Sequence, residues 1–78
     1  MNQEIEIIKA IAEHLGLSVE DLDRHASLKE ELNLDQIELN DLLLDLSQKF
    51  NVSFDAEEIE GLKTVDDLIV LIEDNLIG

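Results

Sequence analysis

Residues 35–50 read DQIELNDLLLDLSQKF, from Asp35 to Phe50, and their periodicity decides the fold class. Leu39, Leu42, Leu43, Leu46 and Phe50 fall at i, i+3, i+4, i+7 and i+11, the offsets that align side chains on one stripe of an α-helix. Asp35 stands three residues before Glu38. This is close to a capping box, whose strict form pairs Ser or Thr with Glu or Gln. The spacing predicts a helix over residues 36–51. Working outward, a second helix is expected over 3–15, with Ile5, Ile8, Ala12 and Leu15 on one stripe, Ile11 beside it, and Gly16 as its stop. A third is expected over 65–76, where Val65, Leu68, Ile69, Ile72 and Leu76 repeat the same offsets. Thr64-Val-Asp-Asp67 is its capping signal.

Two connections remain. Residues 55–62 read as a short helix with Asp55 as N-cap, Ile59 and Leu62 turned inward and Gly61 near its end. The long stretch from Gly16 to Leu34 carries Leu17, Val19, Leu22 and Leu28 as apolar tacks. A structureless loop of that length is unusual in a compact domain, so a packed loop is expected, with one helical turn after Ser27. The expected architecture is all-α: one four-helix domain over 1–78, with a long first loop and a short third helix.

The charge balance narrows function. Twenty Asp and Glu stand against five Lys and Arg, a formal net charge of −15. Binding to phosphate backbones rests on Lys and Arg displacing counterions, so nucleic acid is excluded as a partner, and anionic membrane surfaces are disfavoured for the same reason. Abundant, regularly spaced aliphatic residues argue against the disorder that such a charge would otherwise signal. With no cysteine there is no disulfide framework, thiolate metal site or Cys nucleophile. The longest apolar run, Leu68–Ile72, is far short of a membrane span. Met1-Asn2-Gln3-Glu4 does not open a secretion signal, so a cytoplasmic monomer is expected.

Four segments in order resemble the acyl carrier protein family. Ile8–Leu17, IKAIAEHLGL, is similar to that family's first helix with its terminal Leu-Gly pair. His25–Leu32, HASLKEEL, is similar to the loop leading to the second helix, and Leu62–Leu68, LKTVDDL, to the Thr-Val start of the last. Asn33-Leu-Asp-Gln-Ile-Glu38 stands where the family carries Gly-x-Asp-Ser-Leu. The resemblance implies a carrier rather than an enzyme. In the family, a serine at the start of the second helix takes a phosphopantetheine arm whose thiol carries acyl groups. A helix N-terminus suits the phosphodiester, whose charge meets free N–H groups there. Gln36 occupies that position here, and its amide has no hydroxyl to modify. Asn33 stands in place of the glycine. No cofactor is therefore expected on this chain.

The resemblance also implies a recognition helix for partners with basic patches. Asp35, Glu38, Asp41 and Asp45 lie along one side of the second helix, with Ile37 and Leu44 as apolar contacts. Asn40, Gln48 and Lys49 depart from the family's pattern. The plainer reading of the same acids is a solvated face, since charge patterning is unspecific. His14 and His25 lack accompanying ligands for a metal. His14 reads as a surface residue that suits the C-terminal end of its helix.

Three functional readings follow. One is an interaction module of this family that docks to carrier-handling enzymes or a dedicated partner without the arm. Another is a true acyl carrier whose serine is replaced in this sequence. The last is an unrelated helical partner protein that shares only the fold.

Overall fold

Four helices form in the computed structural model, which describes residues 3–77: α1 (Gln3–Leu15), α2 (Gln36–Phe50), α3 (Ala56–Glu60) and α4 (Val65–Ile77). Met1, Asn2 and Gly78 lie outside the described residues. α1 packs against both α4 and α2, and the core runs between them. Leu42 and Leu46 of α2 and Val65, Leu68, Ile69 and Ile72 of α4 are fully buried, as their spacing predicts. Each such aliphatic side chain contributes roughly 1.5–3 kcal/mol by leaving water.

α1 turns partly away from the stripe expected, keeping Ile11 and Ala12 in the core and adding Ile7 and Ala10. Its buried residues are Ile7, Ala10, Ile11 and Ala12, whereas Ile5 is 46% exposed and Ile8 and Leu15 are only partly covered. The segment EIEIIKAIA offers two overlapping apolar stripes, and the neighbours choose between them. Two buried alanines let α1 sit close to its partners, with Ile7 and Ile11 as the large side chains of the interface.

The long first connection is built into the core. Leu22, Ala26, Leu28 and Leu34 are buried, but Leu17 and Val19, expected as tacks, face solvent. A 3₁₀ turn at Val19–Asp21 carries that exposed stretch. Ser27 opens the single helical turn expected after it. Its carbonyl accepts the N–H groups of Glu31 (3.1 Å) and Leu32 (3.0 Å), and its Oγ accepts from Glu30 N–H (3.1 Å).

Backbone bonds stitch this loop to the segment entering α4. Leu28 N–H donates to Lys63 O (2.9 Å), Val65 N–H to Ala26 O (3.1 Å) and Asp66 N–H to Arg24 O (2.8 Å). The Arg24 guanidinium reinforces the seam, with Nη2 2.6 Å from Asp66 Oδ1 and Nη1 on Glu4. The hydrogen bond to Asp66 pushes the guanidinium pKa up, against the opposing effect of desolvation, and the guanidinium stays charged over any ordinary pH.

α3 is slighter. Asp55 N–H donates to Glu58 Oε1 (2.8 Å) at its start, Gly61 closes it, and none of its residues is buried. Among the described residues, no helix is long and apolar enough to cross a membrane.

Candidate docking and attachment site

The start of α2 is built by three successive residues. Asn33 turns the chain with φ 59°, a left-handed conformation that Asn tolerates better than most side chains. Leu34 is buried and anchors the turn. Asp35 caps the helix: its Oδ1 accepts Glu38 N–H at 2.7 Å, and its own N–H donates to Glu38 Oε1 at 3.2 Å. The reciprocal box is complete. Asp35 and Glu38 thus hold each other while remaining exposed.

Gln36 is the first residue of α2 and is exposed. Its Nε2 lies 3.5 Å from Asn40 Oδ1, one turn along. Ile37 is 78% exposed and Leu44 58%. They are two turns apart on the outward side, and Asn40 and Asp41 between them are exposed as well.

The acidic row divides. Asp45 is half-buried and faces α1, with Oδ2 3.0 Å from His14 Nδ1 and 3.6 Å from Lys49 Nζ. Asp41, largely exposed, lies 3.3 Å from His14 Nε2. Lys49 also reaches Glu13 of α1 at 4.0 Å. Both ring nitrogens of His14 therefore face carboxylates; a neutral ring donates from one of them and a doubly protonated ring from both. Sequence reasoning placed His14 on the surface and missed this link. The signal was available, because His14 falls at i+7 from Ile7 and i+3 from Ile11, on the stripe that α1 does bury.

Two clefts flank the outward side of α2. One of about 530 Å³ lies beside its N-terminal half, between His14, Leu15 and Leu17 on one side and Leu32, Leu34 and Glu38 on the other. The second, about 290 Å³, has Leu43 and Leu44 on one wall and Val52, Phe54 and Ile59 on the other. Among the described residues, no group of three or more His, Cys, Asp or Glu side chains is arranged to hold a metal ion.

Comparison with known proteins agrees with this architecture. The family described as "Phosphopantetheine attachment site" matches residues 6–72. An acyl carrier protein of an Exiguobacterium species is 33% identical over 72 residues, covering 92% of this chain and 91% of the relative. One from Chlamydia caviae is 33% identical over 73 residues, covering 94% and 95%. The crystal structure of an acyl carrier protein from Thermotoga maritima superposes with a TM-score of 0.75 at 27% identity, covering 94% of this chain and 85% of that one.

Proposed function

Because this chain belongs to the acyl carrier protein family, whose members are carriers and not enzymes, we propose that it is an armless member acting by docking. In this reading no phosphopantetheine is attached at Gln36, and α2 presents Ile37, Leu44, Asp41 and the capped Asp35–Glu38 turn to a partner. The partner is a carrier-handling enzyme, or a dedicated protein, that offers Lys and Arg around an apolar patch. Asp45 contributes by meeting His14 of α1 and Lys49, which itself reaches Glu13 of α1, so that α2 is fixed from behind.

One observation carries the proposal. At the first position of α2, where the family resemblance puts the attachment serine, the exposed side chain is a carboxamide bonded to Asn40. The nearby hydroxyls do not substitute for it. Ser27 Oγ accepts Glu30 N–H in the loop, and Ser47 Oγ donates to Leu44 O far along α2. The residues present do not fit the arm.

Intact-mass measurement after incubation with coenzyme A and a broad phosphopantetheinyl transferase tests this. The unaltered chain is expected to gain nothing, and Gln36→Ser to gain one arm in at least part of the population. Modification of the unaltered chain would falsify the armless reading. A Gln36→Ser chain that stays bare would show that the transferase surface has been lost with the serine.

A further inference from the structure

We propose that the groove between α3 and α4, on a surface separate from the outward face of α2, binds a basic amphipathic helix of a partner protein. The groove encloses about 310 Å³. Its floor is apolar, formed by Leu62, Leu71 and Val70, the last 44% exposed. Its rim is wholly acidic, with Glu57 and Glu58 on the α3 side and Asp67 and Asp74 on α4.

The α4 wall has an order of its own. Asp67, Val70, Leu71 and Asp74 fall at i, i+3, i+4 and i+7, one stripe reading acid, apolar, apolar, acid. The two aspartates are roughly 10 Å apart along the axis at 1.5 Å per residue. This stripe lies beside the one α4 buries; Leu71 packs partly against the core, and Val70 is left uncovered. Glu58 and Asp67 each accept backbone N–H groups at helix starts. Among the described residues, however, no Lys, Arg or His pairs with any of the four carboxylates.

Gly61 adds an independent indication. It lines the groove, yet its backbone is ordinary right-handed helix, φ −81° and ψ −7°. A Cβ there would meet only Glu58 O and Glu57 O, at 3.6 and 3.8 Å. Its φ is not left-handed and these are ordinary van der Waals contacts, so neither turn geometry nor packing requires a glycine. What its missing side chain does provide is open space above the apolar floor.

These features select the occupant. A second copy of this chain is excluded by charge, since each carries −15 and both rims would repel. An amphipathic helix laid in a groove is a common recognition mode. Here the complementary stripe reads basic, apolar, apolar, basic at i, i+3, i+4 and i+7, with the apolar pair over Val70 and Leu71 and the cations toward Asp67 and Asp74.

The probe is a helical peptide with Lys-Ala-Ala-Leu-Leu-Ala-Ala-Lys at its centre. Its control has the same composition with the stripe scrambled. Titration is followed by amide chemical shifts and by calorimetry. The ordered peptide is expected to shift amides within residues 57–74 and to bind at least tenfold tighter than the scrambled one, with affinity falling as salt rises. Val70→Lys should weaken it at least tenfold. Gly61→Leu, which fills the groove without straining the backbone, should do the same, and circular dichroism checks that both variants remain helical. Equal binding of the two peptides, no binding at millimolar peptide, or a loss that follows Ile37→Ser on α2 rather than Val70→Lys each overturns the proposal.

Discussion

The connection from Gly16 to Asp35 and the segment from Asn51 to Thr64 invert the usual relation between regular structure and burial. The first is mostly irregular, yet it buries Leu22, Ala26, Leu28 and Leu34 and bonds its backbone to the entry of α4. The second contains a helix, α3, none of whose residues is buried. A helix label describes local hydrogen bonds; resistance to opening comes from apolar contacts and long-range bonds. By that measure the loop belongs to the core and α3 is an accessory.

Paired truncations give the largest test of the contrast. Leu28→Ala, in the loop, is expected to cost about 2–5 kcal/mol in chemical denaturation, because a fully buried side chain is removed and a cavity remains. Ile59→Ala, in α3, should cost about 1 kcal/mol. Equal losses would mean that α3 is as integral as the loop. Amide exchange sharpens the same comparison residue by residue. The N–H groups of Leu28, Val65 and Asp66 should exchange only near the global opening free energy, and those of Ile59 and Gly61 well below it.

Smaller effects separate capping from surface charge. Asp35→Ala removes one half of the α2 capping box and should cost about 1 kcal/mol, seen as a lower denaturation midpoint. Lys49→Ala breaks only exposed or half-exposed ion pairs to Glu13 and Asp45, so its stability should stay within about 0.5 kcal/mol of the parent. A loss matching that of Asp35→Ala would make the Lys49 bridge to α1 as valuable as the cap.

How much of this was legible in the sequence differs from element to element. In α2 and α4 the buried apolar residues follow a capping pair at i, i+3, i+4 and i+7 offsets, so starts and inward faces could both be read. In α1 the isoleucines allow two stripes, and His14, read as a surface residue, lies on the one that is buried. Asp41 and Asp45 meet the imidazole across the helix interface, a pairing visible only once the helices are packed. The loop's apolar tacks were half legible. Leu22 and Leu28 reach the core, while the 3₁₀ turn carries Val19 outward. At the candidate site, sequence established that residue 36 has no hydroxyl. It could not show that Asp45 turns toward α1, nor that Val70 lies uncovered in an acid-rimmed groove, because both depend on where neighbouring helices come to rest.

The seam between the loop and α4 also sets an order of events during synthesis. Leu28 N–H, Ala26 O and Arg24 O find their partners in Lys63, Val65 and Asp66, residues translated much later. Closing so long a stretch of chain carries an entropy cost that only the completed contacts offset. A nascent chain that stops before Lys63 can wind α1 and α2, but its first loop lacks the long-range partners at Lys63, Val65 and Asp66. The loop, although made early, is expected to complete its order only after α4 has left the ribosome.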